Sequence, residues 1–123
     1  MINIRTFQKN FIVLVLLIVA LMISGCSPKP KNNTPIEGAK VFIEAMVNSD
    51  AELMEYINHS DAFAFPPQYC LEIATKRNMA LYDLDQFQYK DMGNGKVKVT
   101  FPDGGVKNLE MVEESGKWYF SRM

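Results

Sequence analysis

The apolar residues of this 123-residue chain change their spacing twice. An unbroken apolar run, Phe11–Ile23, comes first. Apolar residues then recur every three or four positions between Ile36 and Ala74, and from Leu84 onward they alternate with polar ones. A period near 3.6 predicts helices and a period of 2 predicts strands with one buried face. The pattern therefore predicts a leading apolar segment, then helices, then strands.

Local signals divide the helical part into three predicted helices. Thr34-Pro35-Ile36-Glu37 combines a capping threonine, a proline at the first helical position and a capping-box glutamate, so a first helix is expected over Thr34–Val47. Ser49, followed by Glu52, predicts the start of a second helix. Pro67–Arg77 is predicted as a third.

Glycine-rich turns divide the alternating part into four predicted strands. The turns are Gly93-Asn94-Gly95, Pro102-Asp103-Gly104-Gly105 and Glu114-Ser115-Gly116. The alternation of Phe63 and Phe65 predicts a further short strand before the third helix. The expected fold class is α+β, with amino-terminal helices packed on an antiparallel meander of about four strands.

The leading apolar run has the properties of an export signal. Arg5 and Lys9 precede its 13 residues, and Ser24-Gly25 follow as small residues. A membrane span needs roughly 20 apolar residues, and the uncharged stretch stops at Pro28 after including three small or polar residues. A cleaved signal peptide is therefore predicted, with an uncleaved amino-terminal anchor as the alternative.

Ile23-Ser24-Gly25-Cys26 resembles the lipobox of bacterial lipoproteins. The resemblance implies that a diacylglyceryl group is attached to the Cys26 sulfur and that the chain is cleaved before Cys26. Two acyl chains provide stable anchoring, so the lipid bilayer is one expected partner. The predicted organisation is a signal peptide over residues 1–25, the lipidated cysteine and a linker over 26–33, and one domain over 34–123. The expected location is extracytoplasmic, on a bacterial cell membrane or outer membrane.

Charge and cysteine content narrow the possible functions. After removal of residues 1–25 the chain has 11 Lys/Arg and 14 Asp/Glu, a net charge near −3, and no basic stripe. Nucleic acid is therefore not expected as a partner. If Cys26 is acylated, Cys70 has no cysteine to pair with, and it is either a buried small hydrophobic residue or a free thiol.

The residues typical of catalytic and metal sites do not form a recognisable motif. His59-Ser60-Asp61 places the only histidine beside a hydroxyl and a carboxylate, but a catalytic triad converges from separate elements, and consecutive Ser and Asp are typical of turns. One histidine is too few for the usual zinc patterns. Neither a metal nor another cofactor is predicted.

The order of elements in the chain resembles small bacterial lipoproteins of the nuclear-transport-factor-2-like superfamily. The residues that carry the resemblance are the lipobox, the short linker, the helix Ile36–Met46, the second helix opening at Asn48-Ser49-Asp50 and the closing strand Glu114–Phe120. The resemblance implies a cone-like, cystatin-like fold, in which a curved sheet wraps around helices and leaves an apolar cavity at its wide end. The side chains that would line this cavity, or else fill the core, are Met46, Met54, Phe63, Phe65, Met79, Phe87 and Trp118.

Three functions are compatible with such a cavity. The main hypothesis is a non-enzymatic binding or interaction module, whose partner is an envelope protein or a small apolar ligand. A structural module with a filled cavity is another. The third is an enzyme with a carboxylate base and a tyrosine, as the resemblance implies for ketosteroid isomerases. Its candidate residues, none of which matches a family motif, are Asp61, Asp83, Asp85, Tyr56, Tyr69 and Tyr82.

Overall fold

Three α-helices precede a four-stranded antiparallel sheet in residues 30–123, which a computed structural model describes. The elements are α1 (Pro35–Val47), α2 (Ala51–Ile57), α3 (Pro67–Lys76), β1 (Gln88–Gly93), β2 (Lys96–Thr100), β3 (Val106–Glu114) and β4 (Lys117–Arg122). The predicted α+β class is confirmed. The predicted signal peptide and Cys26 lie outside the described residues. None of the helices in residues 30–123 is long and apolar enough to cross a bilayer.

Helix α1 begins where its capping signal predicts. The Glu37 amide donates a hydrogen bond to Thr34 Oγ1 at 3.1 Å, and Pro35 occupies the first turn. One side of the helix packs on the sheet, where the ring of Phe42 stacks on that of Phe120 with centroids 3.9 Å apart. Both phenylalanines are fully buried, so this pair lies at the centre of the core.

Helix α2 begins one residue later than predicted. Ser49 has a left-handed backbone, with φ of 50°, and follows directly on the end of α1. Asp50 is the cap instead, and its Oδ1 accepts a hydrogen bond from the Leu53 amide at 3.1 Å. Ser49 is therefore part of the turn between the two helices, and Asp50 caps α2 in its place.

The strand predicted from Phe63 and Phe65 is wrong. Local turns use the backbone donors of this segment: the Ala62 amide donates to His59 O at 3.0 Å and the Phe65 amide to Ala62 O at 3.2 Å. Phe63 is 87 % exposed. Because these amides bond within the segment, it forms no strand, and the isolated β-bridge to the sheet in the described residues is the one between Asn58 and Phe120.

Two 3₁₀ turns that the sequence pattern did not predict, Met79–Leu81 and Leu84–Gln86, connect α3 to the sheet. The predicted four-stranded meander is confirmed, with strand order β1-β2-β3-β4. Its inner face packs on α1 and contributes the buried side chains Val97, Val99, Leu109, Met111 and Phe120. Its outer face is turned away from the helices, and most of its side chains are exposed.

Asn32, which the sequence pattern assigns to the linker, is fully buried. Its carbonyl accepts a hydrogen bond from the Trp118 amide at 2.8 Å, and its Nδ2 donates to Trp118 O at 3.0 Å. The Tyr56 hydroxyl donates to Asn32 Oδ1 at 3.0 Å. Packing of the folded domain therefore extends at least to Asn32.

Candidate functional site

A groove of about 310 Å³ opens between α1, α3, the inner face of β3 and Phe101, the residue after β2. We call it the α1–α3 groove. Helix α1 forms its floor with side chains that are almost fully buried, and α3 forms one wall. The lining residues are Phe42, Ile43, Met46, Phe65, Tyr69, Ile73, Arg77, Phe101, Lys107, Leu109 and Met123.

Helix α3 contributes a stripe of side chains to the groove because of its register. Tyr69, Ile73 and Arg77 are spaced four residues apart, so they lie on one side of the helix in successive turns. The helix begins at Pro67 without a side-chain cap. Arg77 follows its last turn, and the Arg77 amide donates to Ile73 O at 3.0 Å. The stripe therefore runs from an aromatic residue to a cation.

The Arg77 guanidinium is held at the groove by two neighbours. It lies over the ring of Phe101, 4.1 Å from the centroid, and Nη2 is 3.9 Å from Asp103 Oδ2. Asp103 accepts hydrogen bonds from the Gly105 amide at 2.8 Å and the Tyr82 hydroxyl at 3.0 Å. These bonds, with a smaller contribution from Arg77, lower the pKa of Asp103 below its ordinary value. The carboxylate is therefore ionised at neutral pH and helps to position Arg77.

Lys107 is a second cation of the groove. It lies two residues before the buried Leu109 on β3 and therefore has the inward phase of that strand. The side chain forms no ion pair with any described residue. The lining thus consists of nine apolar or aromatic residues and two cations, and it contains no Asp or Glu side chain.

Two of the seven predicted cavity residues, Met46 and Phe65, line the α1–α3 groove. Met54 and Met79 are fully buried in the core instead. Phe87 lines a separate depression beside Lys40 and Tyr89, and Phe63 is exposed.

Trp118 is only half-buried and lies away from the groove. It packs between α1 and the β1–β2 hairpin. A Cβ at Gly38 would lie 3.2 Å from its Cβ, and a Cβ at Gly95 would lie 3.2 Å from its Cζ3. Trp118 therefore contacts the first helix, as the sequence predicts, but is less buried than expected.

The predicted catalytic candidates are not brought together. Asp61 contacts His59, and the exposed Asp83 and Asp85 lie at the second 3₁₀ turn, where Asp83 Oδ1 accepts from the Asp85 amide at 3.2 Å. Tyr56 bonds to Asn32, Tyr82 bonds to Asp103, and only Tyr69 reaches the groove.

His59 bridges two carboxylates at the open edge of β4. Its Nδ1 is 2.6 Å from Asp61 Oδ1, and its Nε2 is 2.8 Å from Glu114 Oε2. Desolvation lowers the pKa of His59, but hydrogen bonds to the two carboxylates and their charges outweigh it, so the net pKa is raised above 6.5. Carboxylates only accept hydrogen bonds, and only the imidazolium has a proton on each nitrogen. The geometry is thus that of a charged histidine in an ion-pair cluster, with Asp61 and Glu114 as its partners.

Cys70 is fully buried and unpaired. Its thiol donates to Phe65 O at 3.4 Å, and the Asn58 amide nitrogen lies 3.8 Å from Sγ. Desolvation raises the pKa of the thiol to about 11. Because the thiolate is the nucleophilic form, Cys70 is unreactive at neutral pH. Within residues 30–123, no group of three or more His, Cys, Asp or Glu side chains is arranged to hold a metal ion.

No protein-family model matches this chain, and comparisons with curated proteins and with solved structures give no significant match. The candidate site therefore rests on the geometry of the chain itself. The resemblance to nuclear-transport-factor-2-like lipoproteins stays a prediction.

Sequence reasoning missed both cations of the groove. Lys107 had a detectable signal, because it shares the alternating phase of Leu109 and Met111 and so is an inward-pointing lysine. The i, i+4 spacing of Tyr69, Ile73 and Arg77 was also visible, but which side of α3 faces the groove depends on tertiary packing.

Proposed function

We propose that this protein is an extracytoplasmic lipoprotein, anchored to a bacterial membrane through Cys26, whose domain is a non-enzymatic binding module. The α1–α3 groove is its binding site, and the ligand is a small molecule with a substantial apolar part. The proposed membrane location is supported by the basic residues, the apolar run and the lipobox-like Ile23-Ser24-Gly25-Cys26. The groove supports the binding function.

The composition of the groove lining is the observation that carries this proposal. Ligand pockets are mostly apolar with a few placed polar groups, and they begin at about 300 Å³, so a groove of about 310 Å³ is of sufficient size. Burial of apolar surface supplies the free energy of binding. The enzymatic alternative needs an Asp or Glu carboxylate facing the pocket, and no such side chain belongs to this lining.

The two cations favour a ligand with an anionic group. Arg77 has Asp103 3.9 Å away, longer than a direct hydrogen bond, so its donors are available to a ligand. Lys107 has no ion-pair partner in the described part of the chain. A carboxylate or similar anion at this end of the groove would form charge-assisted hydrogen bonds while the apolar part lies over α1.

Titration with anilinonaphthalene sulfonate, an apolar fluorescent anion, tests this proposal. Ile73→Ala shortens a half-buried wall residue and should weaken binding about fivefold, since each buried methylene contributes about 0.8 kcal/mol and burial here is partial. Leu81→Ala is the matched control, because Leu81 is 83 % exposed and outside the groove. Lys107→Gln should also weaken binding, whereas Lys76→Gln on α3 should not.

Probe binding should be constant between about pH 6 and 8, because the groove contains no histidine. His59→Gln is the control for that range. If the Ile73→Ala and Leu81→Ala proteins lose equal probe affinity, the binding site lies outside the α1–α3 groove. A binding or turnover profile that collapses near pH 6.5 in the wild type and is flat in His59→Gln would overturn the non-enzymatic proposal.

A further inference from the structure

The outer face of the sheet carries a positive charge opposite in sign to that of the domain. We define the outer sheet face by its charged side chains on β1 to β4: Lys90, Lys96, Lys98, Glu110, Glu114, Lys117 and Arg122. Residues 30–123 contain ten Lys/Arg and fourteen Asp/Glu. Five cations and two carboxylates belong to this face, which leaves five cations and twelve carboxylates for the rest. The outer sheet face therefore has a net positive charge, whereas the rest of the domain has a net negative charge.

Three lysines of this face, Lys90, Lys96 and Lys98, have no ion-pair partner in the described part of the chain. None of them forms an ion pair, and Glu110 is paired with Arg122. Lys90 and Lys98 are directly opposite each other in the register of β1 and β2. Like charges in this position destabilise a sheet. Lysine commonly protects edge strands, but Lys96 and Lys98 lie on β2, which has a hydrogen-bonded neighbour on both sides.

Apolar side chains project from the same face. Met92 is 53 % exposed and lies beside Lys96 at a shallow depression, and Val106 is 47 % exposed. Exposed apolar residues among unpaired cations match a partner that combines negative charge with an apolar interior. An anionic lipid surface has both properties, and each lysine near it contributes attraction.

The chain enters the domain at the β4 edge of the sheet, which borders both of its faces. Asn32 is bonded to the backbone of Trp118, whose ring lies on the inner side against Gly38 and Gly95. Asn32 is six positions after Cys26, which limits the distance between them to about 22 Å. An acylated Cys26 would therefore hold the outer sheet face within reach of the headgroups.

We propose that the outer sheet face docks on the anionic surface of the bilayer that holds the lipid anchor. This inference rests on the membrane anchoring through Cys26 that is part of the proposed function. Docking pairs the three lysines with lipid headgroups and places Met92 at the interface. The α1–α3 groove, which is on the inner side of the sheet, then remains open to the aqueous side.

Site-specific quenching on vesicles tests this orientation. The full chain, extracted from membranes, is reconstituted with phosphatidylcholine alone or with added phosphatidylglycerol, and a headgroup quencher is included. A fluorophore is attached at Met92→Cys or, as the control, at Glu52→Cys, which is exposed on α2. Cys70 is buried and does not compete for the label. Strong quenching at position 92, weak quenching at position 52 and dependence on phosphatidylglycerol are expected.

Matched charge variants complete the test. Lys96→Gln with Lys98→Gln should reduce the docked fraction about fivefold per lysine, as expected for cations near an anionic surface. Lys40→Gln with Lys76→Gln changes the net charge equally and should have no effect. Equal quenching at positions 92 and 52, or no response to phosphatidylglycerol, would overturn docking.

The same preparation separates the two proposals. In 1 M salt the Debye length is about 3 Å, so only a lipid anchor or an uncleaved apolar segment retains the chain on the vesicles. Loss of the chain from the vesicles in high salt would contradict the proposed lipid anchor. Selective quenching at position 92 in low salt would still support docking through the outer sheet face. Retention without selective quenching would contradict docking alone.

Discussion

At the scale of single residues, His59 is the titratable group whose environment has a consequence for stability near neutral pH. Its side chain is only 16 % exposed and lies between Asp61 and Glu114. The raised pKa means that the folded state binds the proton more tightly than the unfolded state does. The stabilisation is therefore complete below about pH 6.5, the ordinary pKa, and is lost as the pH rises through the higher pKa of the folded protein.

His59→Gln should remove this pH dependence. The wild type should be more stable than the variant at pH 5.5, and the difference should shrink as the pH is raised to 8.5. Asp61 and Glu114 are 49 % and 64 % exposed, so salt should also reduce the difference. Urea unfolding of both proteins at the two pH values measures the effect. A difference that is constant with pH would contradict the charged-histidine interpretation.

At the scale of elements, α1 approaches the sheet closely at Gly38. A Cβ at this position would lie 2.8 Å from Trp118 O and 2.9 Å from Met111 Cε. Gly38 is the fourth residue of α1 and is buried. Alanine would ordinarily be preferred at such a helical position. The absence of a side chain therefore lets α1 approach the backbone of β4.

Gly38→Ala should destabilise the domain despite the better helix propensity of alanine. The propensity gain is about 1 kcal/mol, whereas overpacking against backbone costs about 1–3 kcal/mol. A net loss of up to about 2 kcal/mol is expected in urea unfolding. Ala51→Gly, at the exposed first position of α2, is a control for propensity alone. A Gly38→Ala protein that is more stable than the wild type would show that α1 can shift without cost.

The elements that sequence reasoning predicted are those with local signals. Thr34 and Pro35 mark the start of α1 through contacts within four residues, and glycine-containing turns mark the hairpins. Phe63 and Phe65 have the alternation of a strand, but nearby turn-forming residues satisfy the backbone of this segment. Alternation alone could not predict this, because it does not show whether a partner strand is available.

The candidate site was predicted less well than the fold because it depends on how helices are rotated against the sheet. Met46, Met54 and Met79 are chemically alike and all lie in apolar patterns. Only Met46 faces the groove, and the other two are enclosed by the core. Arg77 and Phe101 contribute from separate elements, and their contact follows from tertiary packing.

At the scale of the whole molecule, the two faces of the sheet have different chemistry. The inner face packs on α1 and, at one end, borders a groove with apolar walls and two cations. The outer face has exposed apolar residues and three lysines without an ion pair among residues 30–123. A single layer of strands can therefore separate a membrane-facing surface from a ligand-binding one, provided that the chain is attached to a membrane.

The proposed membrane attachment depends on Cys26, and substitution of this residue is the decisive test of the proposed location. Cys26→Ala removes the only sulfur in the lipobox-like sequence, so the variant should carry no diacylglyceryl group. The intact mass of the membrane-extracted wild type should equal that of Cys26–Met123 plus the acylated group, and the variant should lack this increment. Cys70→Ala is the matched control, since it removes the other cysteine and should leave the modification unchanged. A wild-type mass equal to that of the unprocessed Met1–Met123 chain would refute the lipoprotein proposal, because an uncleaved apolar anchor would then be the only attachment.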